Sequence, residues 1–152
     1  MDFFGMYPYV KFKRLNPNAP MPKFAREGDA GFDLCTMETV TIQPFQIVMV
    51  HTGLATAIPA FFEGTIRPRS GMAAKRGVTL ANAPATIDSN YRGEILLPLY
   101  NMTTEPVTVE AGERVAQMLI KLQPQPTLML VDELDETERG DQGFGSSGYG
   151  RL

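Results

Sequence analysis

The stretch Arg114-Val115-Ala116-Gln117-Met118-Leu119-Ile120-Lys121-Leu122 alternates with period two. Ala116, Met118, Ile120 and Leu122 share one face; Val115, Gln117, Leu119 and Lys121 share the other. Successive side chains of a strand point to opposite faces, so this is a strand with an apolar face and a mixed one, from which Gln117 points to a site or to solvent. Runs of the same kind recur at Tyr9 to Leu15, Thr39 to Ile42, Gln46 to Thr52, Gly64 to Arg67, Glu94 to Tyr100, Val107 to Val109 and Thr127 to Val131. Pro98 marks its run as an edge or a bulge. Glycine (14) and proline (12) punctuate the chain throughout, and no long segment carries a helical period. The short helix expected at Gly71 to Arg76 ends at Gly77. Many short strands at regular spacing predict an all-β sandwich, jelly roll or barrel.

At 152 residues, with 43% hydrophobic and 20% charged side chains, the chain is sized and composed for one folded domain. No apolar run nears the roughly 18–20 residues that span a bilayer. The N-terminus places Asp2 where a signal peptide carries basic residues. The expectation is a protein that is not secreted: cytoplasmic, or nuclear or in host-cell cytosol in a eukaryotic or viral setting. A net charge of −3 gives no generic attraction to nucleic acid or anionic membrane. The single cysteine, Cys35, excludes an intrachain disulfide framework and a CxxC site. The single histidine, His51, excludes a His-rich metal cage and lies in the apolar run Ile47 to Thr52, where it reads as structural.

From Asp132 to Glu138 acids dominate, and from Arg139 to Gly150 glycine and serine do. The boundaries expected are a single β domain over residues 1–131 and a flexible arm over 132–152.

Four segments hold candidate chemistry. Arg67-Pro68-Arg69-Ser70-Gly71 joins a β-run to the helix, where a forked cation and unpaired N–H groups suit an anion; the plainer reading is a helix cap. Ala85-Thr86-Ile87-Asp88-Ser89-Asn90-Tyr91-Arg92-Gly93-Glu94 reads as a strand, a tight turn and a returning strand, with Asp88 and Tyr91 at the hairpin base; the plainer reading is an Asx turn. Arg139 through Gly148 reads either as a disordered tail or as a glycine-rich wrap for phosphates, with Phe144 to stack on a base. Ala30-Gly31-Phe32-Asp33-Leu34 alone is an apolar strand with one acid.

In this order these segments, with Gly112-Glu113-Arg114-Val115-Ala116-Gln117-Met118, resemble the five sequence motifs of the trimeric dUTPase family. The resemblance spans about Phe24 to Gly148. Ala85 and Asn90 depart from the third motif, which in most members carries glycine and aspartate there. The resemblance implies a distorted jelly roll (a dUTPase-like β-clip), a homotrimer with the C-terminal arm exchanged between subunits, and hydrolysis of dUTP to dUMP and pyrophosphate. Such an activity limits uracil incorporation into DNA and supplies dUMP for dTMP synthesis.

The site residues it implies are Asp88 as the base for water; Asn82, Tyr91 and Phe144 for uracil and deoxyribose; and Arg69, Ser70, Gly71, Gln117, Arg139, Gly145, Ser146 and Ser147 for the phosphates. Mg²⁺ is implied as a passenger on the triphosphate, with no direct protein ligand and with Asp33 acting through water or on an active-site arginine. Tyr91 flat beneath the sugar leaves no room for a 2′-hydroxyl, and cytosine or thymine mismatches the base pocket. The partners implied are dUTP and further copies of the chain, with no nucleic acid or membrane. Two alternatives remain: a dCTP deaminase-type enzyme, which shares the fold but places a glutamate where Asp88 stands, and a non-catalytic trimeric nucleotide-sensing interaction module.

Overall fold

A computed structural model describes residues 8–143. Among them are ten strands and one helix: β1 (Lys11–Arg14), β2 (Phe32–Cys35), β3 (Val40–Ile42), β4 (Ile47–Ala57), β5 (Phe62–Pro68), α1 (Ser70–Arg76), β6 (Val78–Leu80), β7 (Ala85–Ile87), β8 (Glu94–Asn101), β9 (Val107–Val109) and β10 (Arg114–Leu122). One sheet has the order β1-β4-β8-β6, a second β2-β10-β5-β7, and β3 pairs with β9 in a ribbon. Every pairing is antiparallel. The expected all-β jelly roll is the architecture found. No helix among the described residues is long and apolar enough to cross a membrane.

Alternation builds the core. In β8, Ile95, Leu97 and Leu99 are buried while Leu96 faces outward; Leu34, Ile66 and Met118 come from the other sheet to meet them. Each such side chain contributes roughly 1.5–3 kcal/mol on burial. In β10 the strict alternation fails at one point. The register shifts between Arg114 and Ala116, and Val115 and Ala116 are consecutively buried. A bulge turns two neighbours to the same side, so Val115 leaves the mixed face on which the period had placed it.

Three further expectations are corrected. β8 lies inside its sheet, between β4 and β6, so Pro98 is not on an edge strand. Its carbonyl accepts from the Ala81 N–H at 2.8 Å, just past the end of β6, so the proline nitrogen sits at the last rung of the β6–β8 ladder, where the one bond it cannot donate costs least. Thr127 to Val131 forms no strand: the last ladder bond is from the Gln123 N–H to the Phe61 carbonyl at 2.6 Å, and 124–131 is exposed and pairs with neither sheet. Regular structure thus ends at Leu122, well before the compositional junction near Val131. Finally, the strands either side of Asp88 do not form a hairpin with each other. β7 pairs with β5 in one sheet, and β8 pairs with β4 and β6 in the other. The Asp88 turn is therefore a crossing between sheets.

Candidate functional site

The first group of site residues gathers around Asp33 in β2. Its neighbour Gly31 lies so close to β10 that a Cβ there would meet Leu119 Cδ1 at 3.1 Å and the Met118 carbonyl at 3.2 Å. Asp33 pairs in register with Gln117, and Gln117 with Arg67. The Asp33 carboxylate forms an ion pair with Arg69, Nε lying 3.0 Å from one oxygen, and accepts from Arg114 Nη1 at 3.0 Å on the other. Arg69 Nη1 donates to the Arg114 carbonyl at 3.0 Å. Asp33 therefore acts on the arginine directly, and Arg69 is held in place rather than solvated. Beside it, Ser70 and Gly71 open α1, both exposed, and nothing lies within 4 Å of a Cβ built on Gly71. Arg69 is the N-cap and makes no side-chain cap bond, so Ser70 is the first helical residue and not the cap. Gly77, in the left-handed region at φ 63°, ends the helix as expected. Gln117 Nε2 donates to the Pro68 carbonyl at 3.3 Å, so β10 and the strand leading to Arg69 are stitched at this level.

The second group is the turn after β7. The Tyr91 N–H closes on the Asp88 carbonyl at 3.1 Å, and Arg92 Nη1 donates to the Ser89 and Tyr91 carbonyls at 2.7 Å each. The Tyr91 hydroxyl folds back to donate to the Glu94 carbonyl at 2.9 Å. That fold needs Gly93: a Cβ there would lie 2.4 Å from the hydroxyl oxygen. Asp88 is exposed, and with Ser89 and Asn90 it lines a cavity of about 650 Å³ whose far wall includes Phe61, Phe62 and Glu63. Asn82 is exposed in the turn between β6 and β7.

The two groups do not meet within one chain. Asp33 and Gln117 align with Arg67 of β5, whereas Asp88 follows Ile87, which aligns with Gly64. Strand spacing and rise put Asp88 on the order of 15–20 Å from Asp33. Arg139 stands apart from both; it is exposed, and its Nε donates to the Gln142 carbonyl at 2.9 Å within its own turn. Phe144, Gly145, Ser146 and Ser147 lie outside the described residues.

Cys35, close to Asp33, has its thiol pKa raised by burial and then by the Asp33 charge, which disfavours a thiolate nucleophile. His51 is not a core histidine: its side chain points outward from β4 to Glu94. Sequence reading missed the roles of Arg114, Arg92, Gly93 and Glu94. Each lies within a quoted motif; the Arg92 and Gly93 contacts stay inside the turn, whereas Arg114 reaches Asp33 and Glu94 reaches His51 and Gly53, segments that only folding brings together.

The dUTPase family model matches residues 17–148. The chain belongs to the dUTPase family. It is 46% identical over 142 residues to the deoxyuridine 5'-triphosphate nucleotidohydrolase of Corynebacterium efficiens, covering 93% of this chain and 78% of that protein. To the protein of that name from Clostridium novyi it is 47% identical over 140 residues, covering 90% and 96%. Among solved structures, the Staphylococcus bacteriophage 80alpha dUTPase with dUPNHPP superposes with a TM-score of 0.86 at 28% identity, covering 92% of this chain and 98% of that one.

Proposed function

We propose that this dUTPase-family protein hydrolyses dUTP to dUMP and pyrophosphate, at sites assembled between copies of the chain in a homotrimer. The single observation that carries the shared site is the separation within one chain of Asp88 from the Asp33–Arg69–Gln117 group. Phosphate binders and base serve one substrate only if the Asp88 turn of one copy faces the Ser70 and Gln117 of another. The long exposed segment after Leu122, with Leu128, Met129, Leu130 and Leu134 uncovered, fits an arm whose partner surface lies on another copy.

In this reading Asp88 takes a proton from water as the water oxygen attacks the α-phosphorus. The bond from that phosphorus to the oxygen bridging to the β-phosphate breaks, and pyrophosphate leaves. An exposed carboxylate can orient and deprotonate water as a general base. Ser70, Gly71 and Gln117 donate to the phosphates, and Arg69, oriented by Asp33, keeps its positive field on them. Arg139, Gly145, Ser146 and Ser147 close over them from the arm, and Phe144 covers the uracil, while Asn82 and Tyr91 read base and sugar.

The residues present fit Mg²⁺ as a passenger of the triphosphate. Among the described residues no three His, Cys, Asp or Glu side chains gather to hold a metal. Both Asp33 oxygens already receive arginines, so Asp33 reaches such a cation only through its water shell. When bound, Mg²⁺ neutralises phosphate charge.

The test is hydrolysis of dUTP, dCTP, dTTP and UTP under identical conditions with Mg²⁺. Release of pyrophosphate from dUTP alone is expected. Deamination of dCTP, or binding of dUTP without turnover, would overturn the proposal in favour of a deaminase or a sensing module respectively.

A further inference from the structure

We infer that Glu94, anchored by His51, is a positioning residue that sets the height of Tyr91 and the pose of the Asp88 turn. The inference rests on the sugar-reading role proposed above for Tyr91. Glu94 is the first residue of β8, immediately after the turn, and it is bonded through both ends. Its backbone carbonyl accepts the Tyr91 hydroxyl at 2.9 Å. Its carboxylate accepts the Gly53 N–H at 2.8 Å on one oxygen and pairs with His51 Nδ1 at 2.9 Å on the other.

Gly53 lies where β4 and β8 lose register: His51 pairs with Leu96, and the next pair is Ala55 with Glu94. The bulge takes the Gly53 N–H out of the ladder, and a buried or half-buried N–H without an acceptor costs stability. Gly53 adopts φ 67°, and a Cβ there would press Ala19 at 3.0 Å and Met37 at 3.1 Å, so this bulge has little freedom to move. Glu94 thus ties a mobile type of element, a turn of exposed residues, to a rigid one. Through Tyr91 the tie continues to Asp88, whose carbonyl accepts the Tyr91 N–H.

The charged groups that face His51 are Glu94 from β8 and Glu38 from the loop between β2 and β3; a Glu38 carboxylate oxygen also accepts the His51 backbone N–H at 3.4 Å. Both favour the imidazolium, whose charge strengthens the hold on Glu94. The pair is partly exposed, at 55% for His51 and 22% for Glu94, so His51 is the weaker member and Glu94 the principal one.

The experiment compares wild type, Glu94→Ala, Glu94→Gln and His51→Ala by kcat and KM for dUTP and for UTP, and by amide hydrogen exchange over residues 88–94. Glu94→Ala is expected to lower the preference for dUTP over UTP by about tenfold, the scale of one lost bond to a charged group, mainly through KM, and to speed exchange in the turn. Glu94→Gln, which keeps an acceptor for Gly53, is expected to recover most of both. His51→Ala is expected to lose about twofold and to remove the pH dependence of the preference. An unchanged preference with unchanged exchange in Glu94→Ala overturns the inference, whatever happens to thermal stability. Failure of the wild type to hydrolyse dUTP counts instead against the proposed function; the exchange measurement, made without nucleotide, then decides the positioning role by itself.

Discussion

Asp88 stands exposed at the end of β7, with its turn closed by Tyr91 and Arg92 and, among the described residues, no ion pair to it. Asp88→Asn keeps the shape of the turn and removes the proton-accepting charge. Turnover of Mg-dUTP is expected to fall by about 10³ or more, with binding of a non-hydrolysable analogue retained, as rapid-quench kinetics and calorimetry would read. His51 gives a second prediction, in stability. Its pKa is raised above the ordinary 6.5, first by the hydrogen bond to Glu94, then by the Glu94 charge. A group whose folded pKa exceeds its unfolded one stabilises the fold fully below the unfolded value, and that stabilisation is lost as pH rises through the folded value. The urea-midpoint difference between wild type and His51→Ala is therefore expected to shrink on going from about pH 5.5 to 8.5. An equal difference at both ends would place the effect of His51 outside its charge.

The crossing segment from β7 to β8 is where local sequence and architecture part company. Asp88, Ser89 and Asn90 in succession, with Gly93 soon after, specify a turn, and a turn is found, but its two flanking strands belong to different sheets. Turn chemistry fixes four residues; which strand pairs with which depends on partners far away in the chain. Gly93 shows how tightly this element is shaped. In Gly93→Ala the new methyl meets the Tyr91 ring, with Cζ at 2.6 Å, and the ring must swing away. The expected outcome is a several-fold higher KM for dUTP and weaker rejection of UTP, with the melting temperature shifted by only a few degrees, since the turn is exposed and contributes little to the core.

In one chain, the Asp33–Gln117 level lies toward one end of the second sheet and Asp88, after β7, toward the other. A homotrimer with shared sites makes a sharp prediction about mixtures. Asp88→Asn and Ser70→Ala proteins, each nearly inactive, are unfolded together, mixed equally and refolded. Random assembly leaves about a quarter of the sites with both residues intact, and about a quarter of wild-type activity is expected to return. No recovery in a mixture that sediments as a trimer would place both residues in sites built from single chains.

Much of this protein was legible in its residues alone. Period-two runs announced the β class because alternation is a local consequence of pleating, and five short motifs in order announced the family because each is contiguous. Gly77 announced the helix end because only its left-handed φ was needed there. What the chain did not disclose was set by distant partners. The inward turn of Val115 came from a bulge against β2, the place of Pro98 from the early end of β6, and the lack of a strand at Thr127 to Val131 from its pairing with neither sheet. The Asp33–Arg69–Arg114 clasp and the His51–Glu94 pair join residues tens of positions apart, so no periodicity or motif spacing contains them. Local stereochemistry determined what each segment is; long-range pairing decided which face, which neighbour and which end of the sheet it occupies, because those follow from packing the whole chain at once.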